Sequence, residues 1–331
     1  MIDRGGVDQN EDQVIDIVDW PTSGTHGVYP VGARDKSLRL CPDPAPQPFC
    51  IPRHRYLFKE AIKSAKQPGR PRHPAQYWSE AIAFRIGRLM KLSLPPVFVA
   101  IDSDSGEPGT INEWFMDYPG QEGELYIAGG DLMQHLIPGY DRDKGRQHNF
   151  GTIQRLALFL YRTGRLTHSW EEYWGLCLCF DALIGNTDRH QENWGLIVTP
   201  DGKSVRFSPY FDNGTSLGHE LLPEVARRKM RDPNEFAAYL RKGEHHMRWS
   251  LHDRKRLRLI EGVERFGESY PEVKDLLINR LRQWDEEDLW GILSGFTKFT
   301  DMPAPFTQEN AEFVQFLTLA RRERLIQALE T

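Results

Sequence analysis

GNTDRHQENWG, residues 185–195, sets Asp188, Arg189, His190, Glu192 and Asn193 between an apolar run and a short strand-like one. The preceding EEYWGLCLCFDALIG (171–185) reads as a helix apolar on nearly every side, and so as one buried through the middle of a packed unit. After the polar island come WGLIV (194–198), the turn TPDGK (199–203), SVRFSPY (204–210) and FDNG (211–214), which read as a hairpin followed by a polar loop. The hairpin would bring Asp212 back to the point where Asp188 and Asn193 turn their side chains. Carboxylate, carboxamide and carboxylate are what phosphoryl transfer needs. One carboxylate orients an attacking hydroxyl and accepts its proton, and two hard oxygen donors suit magnesium. Helix and turn capping would account for Asp188 and Asn193 alone, but not for the hairpin and FDNG beside them. His190 is open to three roles, as metal ligand, base or loop brace, and bracing is the commonest for a lone histidine among polar neighbours.

Upstream, SEAIAFRIGRLMKL (79–92) spaces Ile82, Ile86, Leu89 and Met90 as one helix face, with Ser79 as its N-cap and Leu94-Pro95-Pro96 as its stop. PVFVAID (96–102) and TINEWFM (110–116) read as strands joined by the turn SDSGEPG. SLRLC and RYLFKEA are two further strands around PDPAPQP (42–48), whose prolines bar it from a sheet interior, and VIDIV (14–18) is a possible short one. Lys59 lies inside the apolar RYLFKEA, where an ammonium needs an anionic partner, and Glu80 in the first turn of the following helix can supply it. A lysine snorkelling from an edge strand and a glutamate serving only the helix dipole are the alternative. GTHGVYPVGARDKS (24–37) carries glycines at 24, 27 and 32, a turn whose backbone N–H groups could approach phosphate. Beyond residue 220 the chain reads as helical, with Val273, Leu276, Leu277 and Leu281 on one face and Phe313, Leu317 and Ala320 on another. A strand-rich front third therefore precedes a helical remainder, with the boundary near residues 117–130.

At 331 residues the chain is long enough for two domains or lobes, and its 39% hydrophobic, 27% charged composition is that of a globular protein. The formal net charge of -5 gives no general nucleic-acid signal, since phosphate binding favours a basic surface. No apolar stretch approaches the roughly 20 residues that span a bilayer, and the acidic N-terminus lacks a signal-peptide core, so a cytoplasmic location is expected. Cys41, Cys50, Cys177 and Cys179 form no CxxC pair, which argues against a zinc site or disulfide framework. RRKMRDPNEF and RKGEHHMRW (227–249) form a basic stretch, either a solvated helix face or a place for an acidic or tRNA-bearing substrate.

In this order, YPVGARDKS, YLFKEA, SEAIAFRIGRLMKLSLPP, INEWF, LIGNTDRHQENWGLIV and SPYFDNG resemble the HipA-like serine/threonine kinases of bacterial toxin–antitoxin systems, whose glycine-rich pattern is SxGGARPK. The blocks run from about residue 24 to 215, and LIGNTDRHQEN is the most specific of them. The resemblance implies an α+β, protein-kinase-like bilobal fold with a small strand-rich N-lobe (1–117) and a larger helical C-lobe (118–331). It implies ATP in the cleft with Mg2+. Lys59 would contact the ATP phosphates, Glu80 would orient Lys59, and Gly32, Ala33 and Lys36 would line the phosphate loop. The hinge would be Glu113 to Phe115, whose backbone would hold the adenine, and Asp117 would reach the ribose. Asp188 would be the catalytic base and Asn193 and Asp212 the metal ligands, with His190 beside the cofactor.

Three departures stand out. The position of the family's regulatory autophosphorylated serine falls on Tyr29, with Ser23 and Thr25 nearby as other acceptors. Glu192 stands where the family often has lysine, which removes a positive charge near the transferring phosphate. The extra N-terminal subdomain of the longer members has no room in this chain, which looks like the compact type. The activity implied is that of a growth-inhibiting toxin that phosphorylates a translation-related protein such as an aminoacyl-tRNA synthetase, with a small DNA-binding antitoxin as partner. A phosphatidylinositol-type lipid kinase, and a pseudokinase acting as an interaction module, are the alternatives. Against the first, the chain shows no basic amphipathic membrane-docking segment.

Overall fold

Alternation along β3 (Arg55–Glu60) organises the first sheet, because a two-residue period sends Tyr56 and Phe58 to one face and Leu57 and Lys59 to the other. In the computed structural model, which describes residues 8–23, 36–60, 73 and 76–331, β3 pairs antiparallel with β2 (Lys36–Leu40) and with β5 (Glu107–Glu113). β4 (Val97–Asp102) adds antiparallel to β5, and the short β1 (Ile15–Asp16) adds parallel to β4, giving the order β1-β4-β5-β3-β2.

The outer face of this sheet has its own apolar cluster. Tyr56, Phe58, Phe98 and Ile111 pack with Trp20 and with Phe49, whose ring lies 4.6 Å from that of Phe98. Phe49 follows the proline-rich loop, which caps this face rather than joining the sheet. The inner face packs on α1 (Gln76–Leu89), with Val97 and Val99 of β4 against Ala81, Ile82 and Ile86. The helix begins at Gln76, so Ser79 is a buried residue of its first turn and not the expected N-cap. Glu80 accordingly stands past the first turn, away from the helix N-terminus, and is placed for Lys59 rather than for the helix dipole.

α4 (Trp170–Ile184) runs through the helical part with eleven buried residues, as its all-round apolar sequence requires. Ser169 caps it by accepting a hydrogen bond from the Glu172 amide (3.1 Å). Gly185 ends it at φ 70, a left-handed conformation that glycine adopts at least cost. α7 (Leu259–Ser269), α8 (Pro271–Arg282) and α10 (Gln308–Glu330) pack around α4, while α3 (Phe150–Arg162) and α9 (Glu286–Phe296) complete the same core. α5 (Pro223–Arg231) and α6 (Pro233–Lys242) pack a smaller cluster on Phe313 and Leu317 of α10, the second apolar face expected there.

The second sheet is β6 (Leu125–Ala128), β7 (Gly195–Val198) and β8 (Val205–Phe207), in that order and antiparallel throughout. The β7–β8 hairpin matches the sequence reading. β6, which runs directly into α2 (Gly129–Leu136), has no counterpart there, because four residues of LYIA carry too short a pattern to separate strand from turn. All four cysteines are buried. Among the described residues no helix is long and apolar enough to cross a membrane.

Candidate active site

The Lys59 ammonium, 5% exposed, lies 3.4 Å from Oε1 of Glu80 and 3.0 Å from Oδ1 of Asp212. Strand β3, helix α1 and the loop after β8 thus meet at one buried charge, which resolves the alternatives for Lys59 in favour of the ion pair. The same Glu80 oxygen accepts the Asn213 amide (2.9 Å), so Glu80 fixes both the lysine and the FDNG loop. Asp212 itself adopts φ 59, a left-handed conformation uncommon for a residue with a side chain and characteristic of sites where the surroundings over-determine the backbone. Lys36, opposite Lys59 in the β2–β3 register, lines the same narrow cavity of about 20 Å³ together with Leu57, Asn112, Phe115, Phe211 and Asp212.

The loop of residues 185–194 is held by its own backbone and side chains. Asn186 Oδ1 accepts the Asp188 amide (3.0 Å), the Asp188 carbonyl accepts from Asn193 Nδ2 (2.7 Å), and the Asn193 amide donates to the His190 carbonyl (3.0 Å). His190 Nδ1 accepts the Glu192 amide (3.1 Å), which makes this ring part of the loop's internal bracing. The Asp188 carboxylate is 39% exposed and therefore reachable. Asn193 is the reverse: it is 1% exposed, and its Oδ1 is buried without a hydrogen-bond partner among the described residues. A buried unsatisfied carbonyl oxygen is costly and calls for a ligand. Hard oxygens at Asn193 and Asp212 suit magnesium, which completes its coordination with phosphate and water. Among the described residues no three His, Cys, Asp or Glu side chains cluster as an all-protein metal site.

Arg189, which the sequence reading leaves without a role, ties these loops together. Its side chain is 1% exposed and donates to both carboxylate oxygens of Asp181 in α4 (3.0 and 2.7 Å). It also donates to the carbonyls of Asn193 (3.1 Å) and Phe211 (2.6 Å) and to Oδ1 of Asn213 (2.7 Å). Asn193 and both neighbours of Asp212 thus hang on one guanidinium. Burial is the largest single influence and opposes its charge, but Asp181, Cys177 and Tyr173 together hold Arg189 above its ordinary value. A carboxylate inside the apolar WGLCLCFDALI is the sequence signal for this pair, since it demands a nearby cation.

Glu192 is paired, not free. Arg142 grips both its oxygens (2.9 and 2.8 Å) and bonds Asp131 as well (2.5 Å). At the expected hinge, the Glu113 amide donates to the Pro96 carbonyl (2.9 Å) and the Trp114 amide to the Arg55 carbonyl (2.9 Å), so these two N–H groups are already engaged. Of the expected hinge, the Phe115 amide alone has no partner among the described residues. The Glu113 carboxylate, 1% exposed, accepts from Tyr56 and Tyr118 (3.1 and 2.9 Å), and Asp117 pairs with Arg55 (2.6 Å). Ser23 is held to β2 through its amide and the Leu38 carbonyl (2.9 Å). Thr25, Tyr29, Gly32 and Ala33 lie outside the described residues.

The chain has a protein-kinase-like α+β fold. It superposes on the Helicobacter pylori proinflammatory kinase CtkA with a TM-score of 0.67 over 96% of each chain, at 15% identity. The Shewanella oneidensis toxin–antitoxin protein HipA, solved with HipB and operator DNA, gives a TM-score of 0.47 at 15% identity, covering 96% of this chain and 69% of that one. In sequence, the chain is 27% identical over 154 residues to the Sinorhizobium fredii protein named "Putative kinase Y4dM", a match covering 42% of this chain and 35% of that protein. The match thus spans about a third of that relative's length. No protein-family model matches the chain.

Proposed function

We propose that the chain is an ATP- and magnesium-dependent protein kinase that phosphorylates a serine or threonine hydroxyl. The observation that carries this reading is the Lys59 ammonium held between Glu80 and Asp212, beside a loop that offers an exposed Asp188 and an orphaned Asn193 oxygen. Residues 1–117 and 118–331 would be the two lobes. Lys59 would neutralise the triphosphate and Glu80 would keep it extended toward the cleft. Asp188 would align the acceptor hydroxyl and take its proton. Asn193 and Asp212 would hold magnesium, which when bound supplies charge neutralisation on the phosphate oxygens. With the charges positioned in advance, the residues have little covalent work to do. Glu192 does not stand against turnover, because its charge is spent on Arg142.

Growth inhibition through a translation-related protein such as an aminoacyl-tRNA synthetase, with a small DNA-binding antitoxin as partner, extends this reading on the strength of the motif resemblance. The test is label transfer from γ-labelled ATP in a cell lysate. Asp188→Asn should lower transfer by about 10²–10⁴-fold while ATP-dependent thermal stabilisation persists. Full transfer by that variant would sink the assignment, and stabilisation by ATP without any transfer by the unaltered chain would replace it with a nucleotide-binding pseudokinase.

A further inference from the structure

Next to Asp188 lies a strip of extended chain that the proposed chemistry does not use. The His245 amide donates to the Leu257 carbonyl (2.8 Å) and the Leu257 amide to the Met247 carbonyl (3.0 Å), while the Arg248 amide donates to the His148 carbonyl (3.0 Å) and the Phe150 amide to the Arg248 carbonyl (2.8 Å). Residues 244–249 are therefore clamped between residues 148–151 and 256–258. Burial alternates along the strip: His245, Met247 and Leu257 are buried, whereas His246 and Arg248 are half-buried and Arg256 is exposed. A two-residue period thus puts His246 and Arg248 on one face. His246 Nε2 on that face is 3.6 Å from Oδ1 of Asp188, and its ring lies 5.9 Å from that of His190.

The charge of this stretch runs against the rest of the molecule. The chain carries a net charge of -5, yet residues 244–258 hold five Arg and Lys against two Asp and Glu. Arg248 donates to the Arg146 carbonyl, and its charge is disfavoured by burial and then by the neighbouring Arg256 and Arg146, with Asp253 giving only partial relief. Among the described residues none of Arg146, Arg248 and Arg256 forms an ion pair. Like charges gathered without counter-ions cost free energy that an anionic partner would return.

We infer that this strip is the acceptor-docking lip of the site, and that the substrate presents its hydroxyl within an acidic peptide segment whose Asp or Glu side chains meet Arg146, Arg248 and Arg256. The inference rests on the protein-kinase reading above. The half-exposed His246 would lie between that lip and the base, alongside the incoming hydroxyl. An overall negative charge favours an acidic peptide over a nucleic acid, whose long phosphate chain would be repelled beyond the strip.

The experiment uses the full chain, ATP, and synthetic peptides carrying one serine flanked by Asp and Glu, by Lys and Arg, or by Gln and Ala. The acidic peptide should be phosphorylated best. Arg146→Glu/Arg256→Glu, which alters two exposed side chains outside the catalytic loop, should raise its KM about tenfold and leave the KM for ATP unchanged. The same variant should gain activity on the basic peptide, a reversal that mere loss of structure cannot produce. A preference for neutral or basic flanks, or an acidic preference unmoved by the variant, overturns the inference while leaving the kinase reading standing. So does tight binding of polyuridylate RNA that the variant abolishes with no change in peptide kinetics. Failure of the unaltered chain to phosphorylate any peptide or lysate protein removes the kinase reading and this inference together.

Discussion

Replacing Arg189 with methionine keeps most of the side-chain volume and deletes the guanidinium. Five hydrogen bonds go with it, two of them to Asp181, which is fully buried and among the described residues keeps only the Asn186 side-chain amide at 3.0 Å and the weak Cys177 thiol as donors to its carboxylate. A buried carboxylate stripped of its cation costs about 3–5 kcal/mol. Against a total stability of roughly 5–15 kcal/mol that is a large share, and at about 2–4 °C per kcal/mol the melting temperature should fall by some 6–20 °C. Asp181→Leu in the same chain removes the stranded charge, so the double variant should be more stable than the two single losses added together, by at least about 2 kcal/mol. Thermal and urea denaturation of the four proteins measure this coupling. A loss below about 1 kcal/mol for Arg189→Met, or strict additivity, would refute the assignment of Arg189 and Asp181 as the joint that carries both loops.

Acidification offers a separate check. Burial pushes His148 down to about 3 and His245 down to about 4, and both are fully buried. The unfolded chain takes up their protons first, so stability is intact above about pH 6.5 and falls as the pH drops toward the folded values, by about 2 kcal/mol per histidine at pH 5. His245→Gln should therefore flatten the dependence of melting temperature on pH between 7 and 5, and an unchanged slope would show that this ring is not held neutral. Gly185→Ala demands a left-handed alanine and drives its Cβ into the Arg321 guanidinium of α10, so it should cost about 1–3 kcal/mol; a neutral result in a thermal melt would mean that the α4 terminus can rearrange. Glu192→Lys sets an ammonium against Arg142 and should destabilise by about 1–2 kcal/mol, whereas a gain in stability would show that Glu192 is not the partner of Arg142.

The islands proposed to carry the chemistry are legible because each sits on a strong local pattern. Lys59 stands in an alternating apolar strand, Glu80 in a helix with a clear face, and Asp188 with Asn193 at the end of a helix too apolar to be anything but buried. α1 starts four residues before the Glu80 that a Ser79 cap implies, since serine reads as a cap wherever it precedes a helical period, and Ser79 is instead within the helix. β6 was missed because its strand character comes from β7, to which all four of its residues are paired. The backbone of Glu113 to Phe115 is the expected hinge, and only the packing of Pro96 and Arg55 beside it shows that the first two of its amides are already used.

By itself the sequence determined most of the elements, their order, and which residues are candidates for phosphoryl-transfer chemistry, because side-chain periodicity and residue type are properties of short stretches. Beyond the pair of Lys59 and Glu80, the tertiary structure alone decided which charges meet. Asp181 is eight residues from Arg189, Arg142 is fifty from Glu192, and Lys59 is 153 from Asp212. Partnership over such separations follows from how helices and sheets pack, which no local pattern encodes. The same packing lays the basic strip of residues 244–258 beside Asp188. In the sequence that strip is only a run of arginines and lysines, and in the fold its His246 comes within 3.6 Å of the carboxylate proposed as the base.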